Sequence, residues 1–356
     1  MNEERTETKK RTIKIVLIVL ACVLAAAVVA GVIFFDYLRG SLHYLGLVDT
    51  QPTLSQEEID AEQFGSGTVD PNAAVIDGTD IDWGQVYHKI GGDDNIINIL
   101  LVGQDRRPGE TRTRSDSIIL VTFNRVKETI TMTSFMRDMY VDFPGDYYDN
   151  RLNVAYYFEG LEFLNETLEL NFGVVVDANV VVDFDQFRDI INLLGGVKLE
   201  LTESEARYIN TKVGRECVTE GLNTLTGGMA LWHARNRTSG GTFDFGRTSR
   251  QRDVLTALIE AYKDKNPLEM VILLDDILGM ISTDLTEQEV TNYFWALFPM
   301  LSKCEIITQG IPVEGGYYPA TIRGMSVLVP DMEMNRQALV DSLTNDPSLT
   351  NGDLIE

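Results

Sequence analysis

Between Asn95 and Asp116 the chain reads NIINILLVGQDRRPGETRTRSD, an apolar run that stops at Gly103 and opens into a loop carrying Asp105 and Asp116 among Arg106, Arg107, Arg112 and Arg114. Guanidinium forks hold phosphate oxygens, and a carboxylate pair supplies the hard oxygens that a divalent cation takes. A solvated loop would use the same residue types, since surface ion pairs contribute only about 0 to 1 kcal/mol. A second basic stretch bears on the choice. Arg235, Arg237, Arg247, Arg250 and Arg252 fall within eighteen residues that contain one acid, Asp244. The whole chain of 356 residues has a formal net charge of −24. That balance argues against nucleic acid as a partner, because binding to phosphodiesters is driven by lysine and arginine. Basic charge focused on an acidic protein suits a small anionic group instead. His43, His88 and His233 are scattered and no C-x-x-C occurs, so neither a zinc site nor a histidine-activated nucleophile is supported.

These residues need strand ends and helix starts to hold them. Ile96 to Val102 is short, apolar and ended by glycine, as a buried strand is, and Ile118 to Asn124 and Thr129 to Phe135 follow it. The Asn124-Arg-Val-Lys-Glu link is too short for a helical crossover, which predicts that the second and third strands are antiparallel. The loop and the Met136-Arg137-Asp138 step then stand at strand ends. Helical spacing returns at Leu161 to Leu170, and a strand is expected at Ala178 to Val182. Phe184, Phe187, Ile190, Ile191 and Leu194 form one helical face ended by Gly195-Gly196. Val197 to Leu201 reads as a strand, and Gly227 to Arg235, Arg247 to Lys265, Met270 to Met280 and Thr286 to Leu301 as helices before a strand at Cys304 to Ile311. Helix N-termini favour anions, so Arg247 and Gln251, four apart on one face of the long helix, would extend a phosphate site from its first turn. The expected class is α/β.

Ile15 to Phe35 is a run of 21 residues without a charge, enough to cross a hydrocarbon core of ~30 Å at ~1.5 Å per residue. It exceeds the usual signal-peptide core and shows no clear cleavage signal. Lys9, Lys10, Arg11 and Lys14 precede it and Asp36 follows, so residues 1–14 are expected in the cytoplasm, 15–35 in the membrane and the rest outside the cell. Residues 36–93, polar and acidic over much of their length, read as a stalk or linker. Cys22 lies in the span, leaving Cys217 and Cys304 on the oxidising side, where a disulfide between them would persist.

The order of motifs NILLVGQDRR, RSDSIILVTFN, SFMRD, RLNVAYY, VVDFDQFRDIINLLGGV, LTGGMALWHARNR and DFGRTSRQRDVL resembles the LytR-CpsA-Psr (LCP) family over about Asn95 to Lys265. The resemblance implies a catalytic domain at 94–265, helices and a strand at 266–341 packed on it, and a flexible tail at 342–356. It implies a largely antiparallel central sheet flanked by helices, with an apolar pocket for a polyprenyl chain and the pyrophosphate at its mouth. The implied reaction moves an anionic glycopolymer, a teichoic acid or capsule-like polysaccharide, from undecaprenyl pyrophosphate to a peptidoglycan sugar hydroxyl. Asp105 and Asp116 match the family's metal ligands, for Mg2+ or Mn2+, and either could also serve as base. Arg114, Arg137, Arg235, Arg237, Arg247 and Gln251 match its pyrophosphate contacts, Arg137 counting among the catalytic groups, and Arg151, where members commonly have lysine, is expected as a further pyrophosphate contact. Gln104 receives no role. Phe123, Phe158, Leu161, Leu164, Phe184, Phe187, Ile190 and Ile191 are candidates either for the lipid pocket or for ordinary core. A lipid-linked pyrophosphate hydrolase and a non-enzymatic envelope sensor would need much the same basic pocket.

Overall fold

The three apolar runs pair edge to edge because their links leave room for little else. β3 (Ile96–Gln104) lies antiparallel to β4 (Ser115–Asn124), and β4 antiparallel to β5 (Thr129–Phe135) across a tight turn. The computed structural model describes residues 45–46, 54–62, 73–92, 95–104, 114–241, 243–301 and 303–344. In it these strands are the centre of a seven-stranded sheet. Outward from β3 come β8 (Ala178–Asp183), parallel to it, then β11 (Ser282–Thr283), antiparallel to β8, and β1 (Leu45–Gly46), parallel to β11. Beyond β5, β12 (Glu305–Ile311) runs parallel. The sheet is therefore mixed, with as many parallel as antiparallel junctions among the described residues, where the family resemblance implied a largely antiparallel one.

Side chains alternate across a strand, so the sheet has two faces. On one, Leu100, Val102, Ile118 and Leu120 cluster with residues of α2 (Leu152–Phe172) and α9 (Met332–Leu343) and are at most 1% exposed. The other carries the paired residues Ile97–Phe123, Ile99–Val121 and Leu101–Ile119. It meets α6 (Phe243–Lys263) through Leu255 and Ile259 and α8 (Glu287–Leu301) through Leu297 and Met300. Here Ile99, Leu101 and Phe123 stay only half-buried although they lie in central strands. Phe123 packs on this half-covered face, whereas Phe158, Leu161 and Leu164 lie on the closed one. α2 is broken at Gly160, which adopts φ 81°, and helical spacing is accordingly readable in the sequence only from Leu161 onward.

A lateral buttress forms from α3 (Phe184–Leu193), β9 (Val197–Leu201), α4 (Glu203–Val213), β10 (Gly221–Leu225) and α5 (Gly227–Ala234), packed around Ile191, Leu199, Ile209 and Val254. Capping boxes start α3 at Asp183 with Gln186 and α4 at Thr202 with Glu205. The glycine that opens α5 has a packing reason, since a Cβ on Gly227 would fall 2.0 Å from the Arg188 carbonyl oxygen. β2 (Ala74–Val75), β13 (Tyr317–Ile322) and β14 (Met325–Pro330) make a small sheet beside the hairpin of β6 (Tyr140–Val141) and β7 (Asn150–Arg151).

Part of the expected linker is thus part of the body. Within 36–93, α1 (Gln56–Glu62) is helical, Trp83 stacks on Tyr140, and Ile90 is fully buried with its amide donating to Gly173 O at 2.8 Å. The helices at 267–301, α7 (Pro267–Leu278) and α8, occur where expected. Cys217 and Cys304 are both free, in different packing clusters, so the expected disulfide does not form. The apolar run Ile15 to Phe35 and the tail beyond Thr344 lie outside the described residues. Among the described residues no helix is long and apolar enough to cross a membrane.

Candidate active site

Strand register assembles the first half of the site. β4 pairs Ile118 with Phe135 of β5, so two residues further on Asp116 faces Arg137. Arg137 Nη1 donates to Asp116 Oδ1 at 2.8 Å and its Nε to Asp138 Oδ2 at 3.3 Å. Arg151, where β7 hands over to α2, brings Nη1 to 3.9 Å from Asp138 Oδ1. At the neighbouring end of β3, Gly103 pairs with Ser117 and Gln104 with Ser115 across a register irregularity.

The second half comes from α6. That helix begins at Phe243, so Arg247 stands one turn inside it rather than in the first turn. The first turn instead supplies Asp244, whose Oδ1 gathers three guanidinium groups, Arg247 Nη2 at 3.2 Å, Arg237 Nε at 3.4 Å and Arg137 Nη2 at 4.0 Å. Thr248 Oγ1 meets Met136 Sδ at 3.7 Å, and Gln251 Oε1 accepts from Ser117 Oγ at 3.2 Å, which seats the helix on the strand ends.

Burial gives this cluster its chemistry. Arg247 is 3% exposed, and its Nε and Nη2 have no hydrogen-bond partner. Burial, with repulsion from Arg137 behind it, brings the Arg247 pKa down to about 10 despite Asp244. Burial also pulls Arg137 down, but Asp138, Asp244 and Asp116 outweigh it and leave that pKa above its ordinary value. Arg151 is lowered by burial against the pull of Asp138, with Arg114 and Arg137 adding to the lowering. Arg137, Arg151, Arg237 and Arg247 against Asp116, Asp138 and Asp244 leave the cluster net positive. An anion rich in oxygens would satisfy the orphaned donors, each costing about 1–3 kcal/mol when left unpaired, and would relieve the repulsion.

Other expected contacts are placed elsewhere. Arg114 Nη2 bonds both carboxylate oxygens of Glu62 in α1, at 2.5 and 2.6 Å. Arg235 is exposed, with its guanidinium 4.4 Å from the centre of the Phe184 ring. Asp105, with Arg106, Arg107 and Arg112, lies outside the described residues. No group of three or more His, Cys, Asp or Glu that could cage a metal occurs among the described residues. Arg250 acts as a brace: its Nε donates to Glu205 Oε1 at 2.6 Å, and its two terminal nitrogens donate to the carbonyls of Asn236 and Ser239. That brace fixes the segment carrying Arg237. The sequence did offer a signal for Asp244, as the one acid in its arginine-rich stretch, though none for its role as their meeting point.

The LytR_cpsA_psr family model matches residues 65–339, most of the chain. The protein belongs to the LytR-CpsA-Psr family. Within that family, polyisoprenyl-teichoic acid–peptidoglycan teichoic acid transferase TagT of Bacillus subtilis (strain 168) is 32% identical over 233 residues, 64% of this chain and 70% of TagT. Regulatory protein MsrR of Staphylococcus aureus (strain COL) is 28% identical over 269 residues, 73% of this chain and 79% of MsrR. The structure of TagT bound to LIIa-WTA matches with a TM-score of 0.59 at 25% identity, over 73% of this chain and 96% of that one. The mixed α/β body described above is therefore the LytR-CpsA-Psr fold.

Proposed function

We propose that the protein transfers an anionic glycopolymer, a teichoic acid or capsule-like polysaccharide, from undecaprenyl pyrophosphate to a peptidoglycan sugar hydroxyl outside the cell, tethered by the span at Ile15 to Phe35. The observation that carries this reading is the buried, hydrogen-bond-deficient Arg247 beside Arg137 and Arg237, at the end of a half-covered apolar sheet face. Charge and grease adjoin there as they do in a lipid pyrophosphate. Leu101 and Ile119, then Ile99 and Val121, would line the prenyl chain leading away from Gly103 and Ser117 at the mouth. A relative named as a teichoic acid transferase supports the same class.

The acceptor hydroxyl attacks the phosphorus that bears the polymer. The bond from that phosphorus to the bridging oxygen breaks, leaving a sugar–polymer phosphodiester and undecaprenyl phosphate. Arg137, Arg151, Arg237 and Arg247 neutralise the phosphoryl oxygens, where charge spreads in the transition state. Arg247, dry and preplaced, gains most from the added charge. Asp116, at the strand end, or Asp105 takes the acceptor proton. These two aspartates offer the hard oxygens that suit Mg2+ or Mn2+, which would add charge neutralisation when bound.

The test is reconstitution of the full chain in liposomes with lipid-linked polymer, peptidoglycan oligomers and Mg2+. Polymer joined to peptidoglycan, with undecaprenyl phosphate released, is the expected product. Arg247→Ala should lower the rate on the order of 10²–10³-fold in the fraction that a melting curve shows to be folded. Hydrolysis without an acceptor, or binding of the donor without turnover, would sink the reading in favour of a pyrophosphatase or a sensor.

A further inference from the structure

Directly after Asp244 comes Phe245, 36% exposed, whose ring stacks on Tyr317 with centroids 5.2 Å apart and planes 28° from parallel. Tyr317 in turn lines a cleft of ≈ 620 Å³ together with Asp82, Tyr87, Tyr318, Asp331 and Glu333. The walls come from three distant parts of the chain, the segment before β3, the start of β13 and the turn into α9, and Phe245 of α6 stacks on one of the wall residues, Tyr317. Phe245, next in the chain to Asp244 of the phosphate cluster, thus touches the cleft wall through Tyr317.

We propose that this cleft binds the glycan strand that presents the acceptor hydroxyl. Calling the ligand the acceptor rests on the transferase reading; calling it a glycan rests on the wall chemistry. Flat aromatic rings left in water cover the C–H face of a pyranose, and carboxylates and phenols at the ring edges take its hydroxyls and amide hydrogens. Tyr318, 47% exposed, is the second such ring. The carboxylates also select. Asp82, Asp331 and Glu333 repel a polyphosphate chain, so the cleft disfavours the anionic donor polymer and favours a neutral N-acetylated strand. Arg336, buried in the wall with Nε donating to Asn171 O at 2.6 Å and Nη1 to Gln85 O at 3.0 Å, offsets one of these charges and leaves the cleft net negative. The two substrates thus use separate surfaces, the lipid the sheet face and the sugar the tyrosines.

Calorimetric titration of the detergent-solubilised full chain with a β-1,4-linked N-acetylglucosamine tetramer, and separately with a polyprenyl pyrophosphate analogue, decides the matter. Tyr318→Ala, at an exposed position, and Tyr317→Ala should each weaken tetramer binding by about tenfold while leaving the pyrophosphate analogue within about twofold of the parent. Equal tetramer affinities in parent and variants, or no binding by the parent, would overturn the proposal. Tetramer bound through the tyrosines without any polymer joining would sink the transferase reading and keep the glycan site. Polymer joining with an unchanged acceptor KM in Tyr318→Ala would do the reverse.

Discussion

The two faces of the central sheet use the same apolar residue types and do different things with them. Toward α2 and α9, Leu100 and Leu120 are completely buried. Toward α6 and α8, their neighbours Leu101 and Ile99 remain half-buried and Ile119 and Val121 are 6% and 5% exposed. A dry, closed layer gains dispersion and transfer energy from every atom; an incompletely covered one forgoes part of that gain and keeps an apolar surface available. The half-covered face is also the one that ends at Ser117, Gln251 and Arg247. Burial is complete on one side and partial on the other, the side proposed to take the prenyl chain.

The sharpest test of that division is Leu120→Ala, whose side chain is 0% exposed. It should cost about 3 kcal/mol of unfolding free energy, within the roughly 2–5 kcal/mol range of buried leucine truncations, read from a denaturant midpoint. Its folded fraction should bind a polyprenyl pyrophosphate analogue as the parent does. An equal loss of affinity would show that the faces are not independent.

Leu101→Ala, on the adjacent residue but the opposite face, should reverse the pattern. Stability falls by about 1 kcal/mol, because part of the side chain was already in water, while affinity for the prenyl analogue falls about tenfold as chain contacts are lost. A short-chain pyrophosphate should not sense the change. If the short and long analogues weaken equally, the prenyl group lies elsewhere.

How much of this division the sequence showed depends on the kind of interaction. β5 at Thr129–Phe135 and β9 at Val197–Leu201 are read to the residue, because apolar runs bounded by charge or glycine state their own limits. β13 escapes notice, since Pro319 interrupts a run that would otherwise read as a strand. α6 starts upstream of its readable pattern because Gly246 breaks the helical signal while tertiary seating of Thr248 on Met136 restores the helix. The arginines could be named from the sequence, but their partition could not. Whether an arginine meets Asp244, stacks on Phe184 or bonds Glu62 depends on elements remote in the chain, and Glu62 belongs to a segment whose composition reads as linker. Whether Phe123, Phe158, Leu161 and Leu164 cover a cavity or fill a core stays open in the sequence, because an apolar stripe looks the same in both cases.

The smallest expected effect concerns the buttress that holds α6 against the open face. Leu100, Leu101, Ile119 and Leu120 do not titrate, so acid does not act directly on either apolar face. His233, in α5, is 2% exposed, and burial lowers its pKa, with Arg250 acting the same way against Glu205. The folded protein therefore keeps this imidazole neutral where the unfolded chain protonates it near pH ~6.5. Below that value the unfolded state binds more protons, so stability falls as pH drops through the window from ~6.5 toward the folded pKa. Glu205, also held below its usual range, loses its own contribution only further down, where carboxylates titrate. His233→Gln, which cannot take up the proton, should flatten the stability profile between about pH 7 and pH 5 by about 1 kcal/mol and leave prenyl binding at neutral pH unchanged. Melting curves at stepped pH check it: a variant that loses stability as steeply as the parent would place the acid-sensitive group outside the buttress.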